Sequence, residues 1–169
     1  YIISLFEKFP LSTCTIYILA SWIYKTGASK NPIILYDYQK TRSSSCPKEF
    51  LKDFSGFLQT DGYQGYNKVE NVTRLYCLAH IRRKFFEIVD NLDKEALKNS
   101  RAIIGFNYCE QIYKLEKQLR EKYGKQEDYY QKRYEIRLER LAPLLEDFET
   151  YINIEIKDAL PRSPLGKAL

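Results

Sequence analysis

The 169-residue sequence has no methionine, one histidine and one tryptophan. With His80 as the sole imidazole, the histidine-based zinc sites that need several nitrogen and sulfur ligands are out of reach. Four cysteines, Cys14, Cys46, Cys77 and Cys109, stand far apart without paired spacing. Neither a disulfide scaffold nor a four-thiolate zinc site is therefore indicated, and a reducing cytoplasm fits best. Long apolar runs are missing too. The stretch from Cys14 to Tyr24 is shorter than the about 20 residues a bilayer requires. Glu7, Lys8 and Pro10 interrupt the opening, which shows no basic region followed by a cleavage site. No signal peptide and no membrane span are expected. The lack of any methionine, including an initiating one, reads as a segment of something longer.

What is present argues for a folded chain. Apolar residues make up 44% and aromatics 15%, with 15 tyrosines, a composition that disorder does not tolerate. The length is enough to bury a real core in one domain. A net charge of +5, from 27 basic and 22 acidic residues, permits an anionic partner without demanding one.

The most informative stretch runs from Phe57 to Phe86. Phe57 and Leu58 lead through Gln59 and Thr60 to Asp61, and Gly62 follows, as where a buried strand ends at a turn. The spacing predicts a second strand over Val72 to Ala79, giving way at His80 to Arg82, Arg83 and Lys84 in the first turn of a helix. Three cations there oppose the macrodipole, which favours a phosphate partner. Tyr63 and Tyr66, three apart, can share a face of a short helix, and a core-aromatic role is preferred to base stacking.

Elsewhere, Ile16 to Tyr24 and Pro32 to Tyr38 read as two strands of a hairpin turning over Gly27 to Asn31. Pro47 suits the first turn of a helix running to Ser55. From Ile81 onward the pattern is helical. Tyr108, Ile112, Leu115 and Leu119 alternate at four and three, as do Tyr134, Leu138, Leu141, Leu145, Phe148 and Ile152. Gly124 to Asp128 separates the two runs, which predicts an antiparallel helical hairpin, with Pro143 as a candidate kink. Ser163 and Pro164 suit the start of a further helix.

The string Thr60-Asp61-Gly62-Tyr63-Gln64-Gly65-Tyr66-Asn67, followed by Cys77-Leu78-Ala79-His80-Ile81-Arg82-Arg83-Lys84-Phe85-Phe86, resembles the central part of the insertion-sequence-66 family of bacterial transposases. Three more pieces match in order: Ser21 to Gly27, Ile34 to Ser43, and Pro161 to Ala168. The resemblance spans roughly Trp22 to Leu169.

It implies an α/β, ribonuclease-H-like core of mixed sheet and helices, incomplete at both ends, with a long helical hairpin inserted after the second catalytic strand. The implied division is 1–92 for the partial core, 93–157 for the helical insertion and 158–169 for the start of a truncated helical segment. In that family two aspartates and a glutamate hold divalent metal, Mg2+ or Mn2+, for strand cleavage and transfer in DNA. Asp61 matches the second aspartate as catalytic metal ligand. The first aspartate, in an Asp-Glu-Thr context, and the glutamate have no match here: the chain begins after the first or that end has diverged, and the helix bearing the glutamate is expected beyond Leu169.

Asp37 sits in a segment that matches elsewhere in the family and is taken as peripheral; Glu149 and Glu155 have no motif around them. Arg42, Arg82, Arg83 and Lys84 are the candidate phosphate contacts. Cys77 and His80 are assigned structural places near the site, Cys77 buried and His80 hydrogen-bonded. DNA, as element ends and target, is the implied partner, and assembly into a homo-oligomer is left open. Two alternatives stay open as well: an inactive remnant that binds DNA or a partner, and a helical interaction module.

Overall fold

A computed structural model describes residues 15–18, 22–25, 33–35, 39 and 41–169. It is an α/β chain whose described residues fall into two compact units, one reaching to His80 and the other from Ile81 to Leu169.

The first unit is built on a five-stranded sheet in the order β3-β2-β1-β4-β5. The strands are β1 (Thr15–Ile18), β2 (Trp22–Lys25), β3 (Ile33–Leu35), β4 (Gly56–Thr60) and β5 (Val72–Tyr76). Strand β1 pairs antiparallel with β2, placing Ile18 opposite Trp22, and β2 pairs antiparallel with β3. On the other side, β1 pairs parallel with β4, Ile18 opposite Thr60, and β4 pairs parallel with β5, Thr60 opposite Tyr76.

The expected single strand from Ile16 to Tyr24 is thus two strands. Chain reversal there carries no glycine or proline, so an apolar run long enough for two strands reads as one. The hairpin expected around Gly27 is present as the β2–β3 pair, its turn lying outside the described residues.

Helix α1 (Ser45–Phe50) is shorter than the expected Pro47–Ser55. Pro47 sits within its first turn, where a missing N–H costs nothing. The helix ends in turns, Leu51 N–H donating to Pro47 O and Phe54 N–H to Leu51 O. Leu51, Leu58 and Val69 form the buried centre of this unit, with Phe54, Tyr66 and Val72 packed on it. Gly56 opens β4 at φ 132°, a conformation that strains any residue with a Cβ.

The second strand ends at Tyr76, not Ala79. Helix α2 (Leu78–Val89) takes over, and the boundary between the two units falls inside it, between His80 and Ile81. Cys77-Leu78-Ala79 is apolar and short, a run that periodicity cannot assign to strand or helix.

The second unit is helical. After α2 come α3 (Lys94–Lys98), α4 (Arg101–Tyr123), α5 (Tyr129–Ile136), α6 (Ala142–Asp158) and α7 (Pro164–Ala168). Helix α3 is capped by Asp93, whose carboxylate accepts from the N–H of Glu95 and Ala96. The cap of α7 is Ser163, which accepts from Gly166 N–H at 3.0 Å, as the Ser-Pro start predicts.

The expected hairpin is formed. Near the start of α4, Arg101 pairs with Glu155 of α6 at 2.9 Å, and its carbonyl accepts from the Tyr151 hydroxyl at 2.7 Å. Farther along α4, Glu116 meets Arg133 and Arg137. The two arms therefore run antiparallel. Ala102, Gly105, Cys109, Ile112, Leu115 and Leu119 form the buried stripe of α4. Leu141, Leu145, Phe148 and Tyr151 supply that of the second arm. Phe85 of α2 is fully buried among Phe148 and Tyr151, with ring centroids at 6.2 and 6.5 Å. Burying such a side chain contributes about 1.5–3 kcal/mol. Burial pushes the Cys109 thiol up to about 12, so it packs as a small hydrophobe.

Between α5 and α6, residues Arg137–Leu141 form a π-helical turn. Pro143 stands two residues past it. Its ring would crowd the carbonyl four residues back, at Glu139, in a regular helix, and widening the preceding turn relieves that conflict.

Glu116 gives the arm a pH dependence. Burial alone would raise its pKa, but hydrogen bonds and charge from Arg137 and Arg133 overcome it and hold the carboxyl below the usual range. A folded-state value below the unfolded one adds stability that is full above about pH 4.5 and is lost as pH falls through the folded value. Glu116→Gln is expected to cost about 2 kcal/mol at pH 7, the scale of hydrogen bonds to charged groups. Denaturant titrations at pH 7 and pH 3 check this: the gap between wild type and variant should narrow in acid.

Candidate functional site

In the sheet unit, Asp61 is the first residue after β4, which lies between β1 and β5. Its Oδ1 accepts from Tyr63 N–H at 3.0 Å, a turn closed by the aspartate's own side chain. Its Oδ2 takes no hydrogen bond from a described residue. The strand end is tied down on both sides. Thr60, 1% exposed, donates its hydroxyl to the Asp61 carbonyl at 2.8 Å, and Cys77 N–H donates to the Thr60 carbonyl at 2.9 Å.

Arg74 of β5 is the residue that sequence reasoning passed over. Its Nε donates to Thr60 Oγ1 at 2.9 Å, and its Nη2 to the carbonyls of Tyr63 at 2.8 Å and Asp61 at 3.1 Å. Nη1 donates to Asn67 Oδ1. Its guanidinium lies 5.0 Å from the Tyr76 ring centroid and 5.8 Å from that of Tyr66. The sequence signal was slight, an arginine inside a five-residue strand beside one that runs on into an aspartate.

Arg42 joins the same turn. Its guanidinium stands 4.9 Å over the Tyr63 ring, and its carbonyl accepts from the Tyr63 hydroxyl. Tyr63 and Tyr66 meet edge to face at 5.8 Å. Burial, then the Asp61 charge, pushes the Tyr66 phenol up to about 12, so it stays protonated. Tyr66 packs on the buried centre of the unit.

Cys77 is half-buried, not buried as expected, because it sits where β5 ends and α2 begins. His80 donates its backbone N–H to Cys77 O at 3.0 Å. Its ring Nδ1 is buried and finds no hydrogen-bond partner among the described residues. Among the described residues no group of three or more His, Cys, Asp or Glu side chains is placed to hold a metal. Asp37 lies outside the described residues. Glu149 is exposed on α6, and Glu155 is engaged by Arg101.

In the helical unit the basic cluster divides. Because α2 starts at Leu78, Arg82, Arg83 and Lys84 occupy its second turn rather than its first, and the macrodipole argument loses its force. Arg82 pairs with Glu110 of α4 and stacks over Phe106 at 5.1 Å, with Phe86 and Tyr113 each at 5.9 Å. Arg83 is exposed. Lys84 pairs loosely with Glu87 at 3.8 Å, both exposed. Exposed pairs of that kind are worth little and yield readily to another anion.

No helix among the described residues is long and apolar enough to cross a membrane. The family model described as "Transposase IS66 family" matches residues 19–169. Among curated relatives, uncharacterized protein y4hP of Sinorhizobium fredii (strain NBRC 101917 / NGR234) is 26% identical over 76% of this chain and 25% of its own length. Uncharacterized protein y4jD of the same organism is 27% identical over 82% of this chain and 27% of its own. A third, y4qI, is 32% identical over 37% of this chain and 13% of its own. The chain thus spans about a quarter of the length of the first two. No solved structure matches it. A match over nearly the whole sequence, including the strand-turn-helix segment just described, shows that this chain belongs to the IS66 family of transposases.

Proposed function

We propose that this chain is the central part of a DNA transposase with a ribonuclease-H-like core, acting in the cytoplasm in metal-dependent strand cleavage and transfer. The observation that carries it is Asp61 at the end of β4, in a sheet ordered β3-β2-β1-β4-β5 whose first three strands are antiparallel and whose last two run parallel to β1. An acid there stands at the end of the parallel half of the sheet, where side chains from neighbouring strands converge.

Asp61 fits a hard cation as one ligand, since its Oδ2 takes no hydrogen bond among the described residues and a carboxylate suits Mg2+ or Mn2+. The remaining carboxylates come from outside the described residues. A bound divalent ion would supply stabilisation of the charge that develops on the attacking and leaving oxygens in phosphoryl transfer. Arg42, beside the Asp61 turn, and Arg83 and Lys84, on α2, contact DNA phosphates. Arg82 joins them once DNA phosphate replaces Glu110.

A second reading, an inactive family member that only binds DNA, is favoured by the lack, among the described residues, of a cluster of His, Cys, Asp or Glu around Asp61. The test compares this chain with a version extended at both ends to the length of its relatives, each with and without Asp61→Ala. Nicking and strand joining are followed in Mg2+ or Mn2+. Activity in the extended protein that vanishes with Asp61→Ala supports the transposase reading. Inactivity of both, with DNA binding that weakens steeply as salt rises, supports the second. Salt-independent behaviour of both sinks the DNA reading altogether.

A further inference from the structure

We infer that Arg74 is the positioning residue for Asp61: one guanidinium holds the backbone of the strand end and turn so that the carboxylate is presented with an Oδ2 that takes no hydrogen bond from a described residue. An arginine carries five N–H donors in a rigid plane. Four hydrogen bonds from Arg74 go to the Thr60 hydroxyl, the Asp61 and Tyr63 carbonyls and the Asn67 side chain. Its plane is flanked by the Tyr66 and Tyr76 rings. The arginine is thereby spent on the turn and is not a phosphate contact, unlike exposed Arg42.

The choice of acceptors matters. Arg74 binds the carbonyl of Asp61 and not its carboxylate. Had the guanidinium paired with the carboxylate, it would compete with a cation for the same oxygens. Instead, the Asp61 carbonyl is gripped twice, by Arg74 and by the Thr60 hydroxyl, itself an acceptor from Arg74. Tyr63, whose N–H holds Asp61 Oδ1, is gripped through its own carbonyl. Lysine cannot replace this, because an ammonium offers a point charge and not a planar fork. Arg74 places Asp61 whatever the chemistry; that this placement serves metal binding rests on the transposase reading.

The test uses amide hydrogen exchange on the chain itself. In Arg74→Lys, protection of the Tyr63 amide should fall about tenfold, the scale of one hydrogen bond, while the Leu58 amide in mid-β4 stays protected. Unchanged Tyr63 protection with β4 intact overturns the inference. Should Arg74→Lys fail to fold, the wild type decides: restricted, separately resolved Nη signals of Arg74 support the inference, and a single averaged signal overturns it. In the extended protein, Arg74→Lys should raise the Mn2+ concentration needed for half-maximal cleavage about 10–100-fold, as for loss of a ligand's hydrogen-bond partner. Loss of Tyr63 protection alongside an active Asp61→Ala protein supports the positioning role and sinks the metal-ligand reading.

Discussion

Exchanging Asp61 for asparagine is expected to lower metal-dependent strand cleavage by the extended protein on the order of 1000-fold, with fold and turn left in place. Losing a hydrogen-bond partner of a metal ligand costs about 10–100-fold, and losing the ligand's charge exceeds that. The substitution separates two jobs of one side chain. An asparagine oxygen still accepts from Tyr63 N–H, so the turn persists. What disappears is the negative charge that a hard cation requires. Cleavage assays over a Mn2+ series, beside amide exchange at Tyr63, check it. Retained cleavage by this variant removes Asp61 from the metal site, whereas lost cleavage with lost protection at Tyr63 assigns the defect to the turn.

The largest stability effect is expected at Phe85. Phe85→Ala should cost about 3–5 kcal/mol, the scale of an aromatic truncation in a closed core. That is a large part of the about 5–15 kcal/mol that holds a typical domain together. The partner position is Gly105, where a Cβ would come within 2.4 Å of the Phe85 ring. That ring is fully buried against Phe148 and Tyr151 and has nowhere to retreat. Gly105→Ala should therefore cost about 1–3 kcal/mol through overpacking, less up to about 1 kcal/mol returned by alanine's helix propensity. In the Phe85→Ala background the same change should become neutral or favourable. Denaturant unfolding of the four proteins in this cycle measures the coupling. Equal costs in both backgrounds would show that the glycine is there for some other reason.

The elements read most reliably from the sequence are those whose burial period is long. Ile112, Leu115, Leu119, Leu145 and Phe148 recur over many turns, and all five are buried. Asp61 was legible because it follows a short apolar run and precedes a glycine, and the structure puts it one residue past β4. Boundaries inside short apolar runs were not. Ile16 to Tyr24 hides a reversal, and Val72 to Ala79 hides the change from strand to helix at Cys77, because a few apolar residues fit either state.

Arg82 reads from the sequence as a free cation because its neighbours are basic. Glu110, which neutralises it, lies on another helix, and only the packing of α2 against α4 brings the two together. Arg74 was missed for the same reason. Its worth lies in four acceptors between Thr60 and Asn67, two of them carbonyls and two side-chain oxygens, and no local pattern announces the reach of that guanidinium.

The strand order also dictates when each part of the sheet can form. Partners in the β1–β2 pair are close along the chain, Ile18 opposite Trp22, whereas Thr15 must find Phe57 to join β4. Closing so large a loop costs entropy before any contact repays it, so the parallel half forms late. The first three strands emerge from the ribosome ahead of β4 and leave the edge of β1 open in the interval. An unpaired apolar edge recruits other chains. The strand that leads to the candidate ligand is thus the one that covers the open edge of β1, and slow arrival of β4 should show first as aggregation during synthesis.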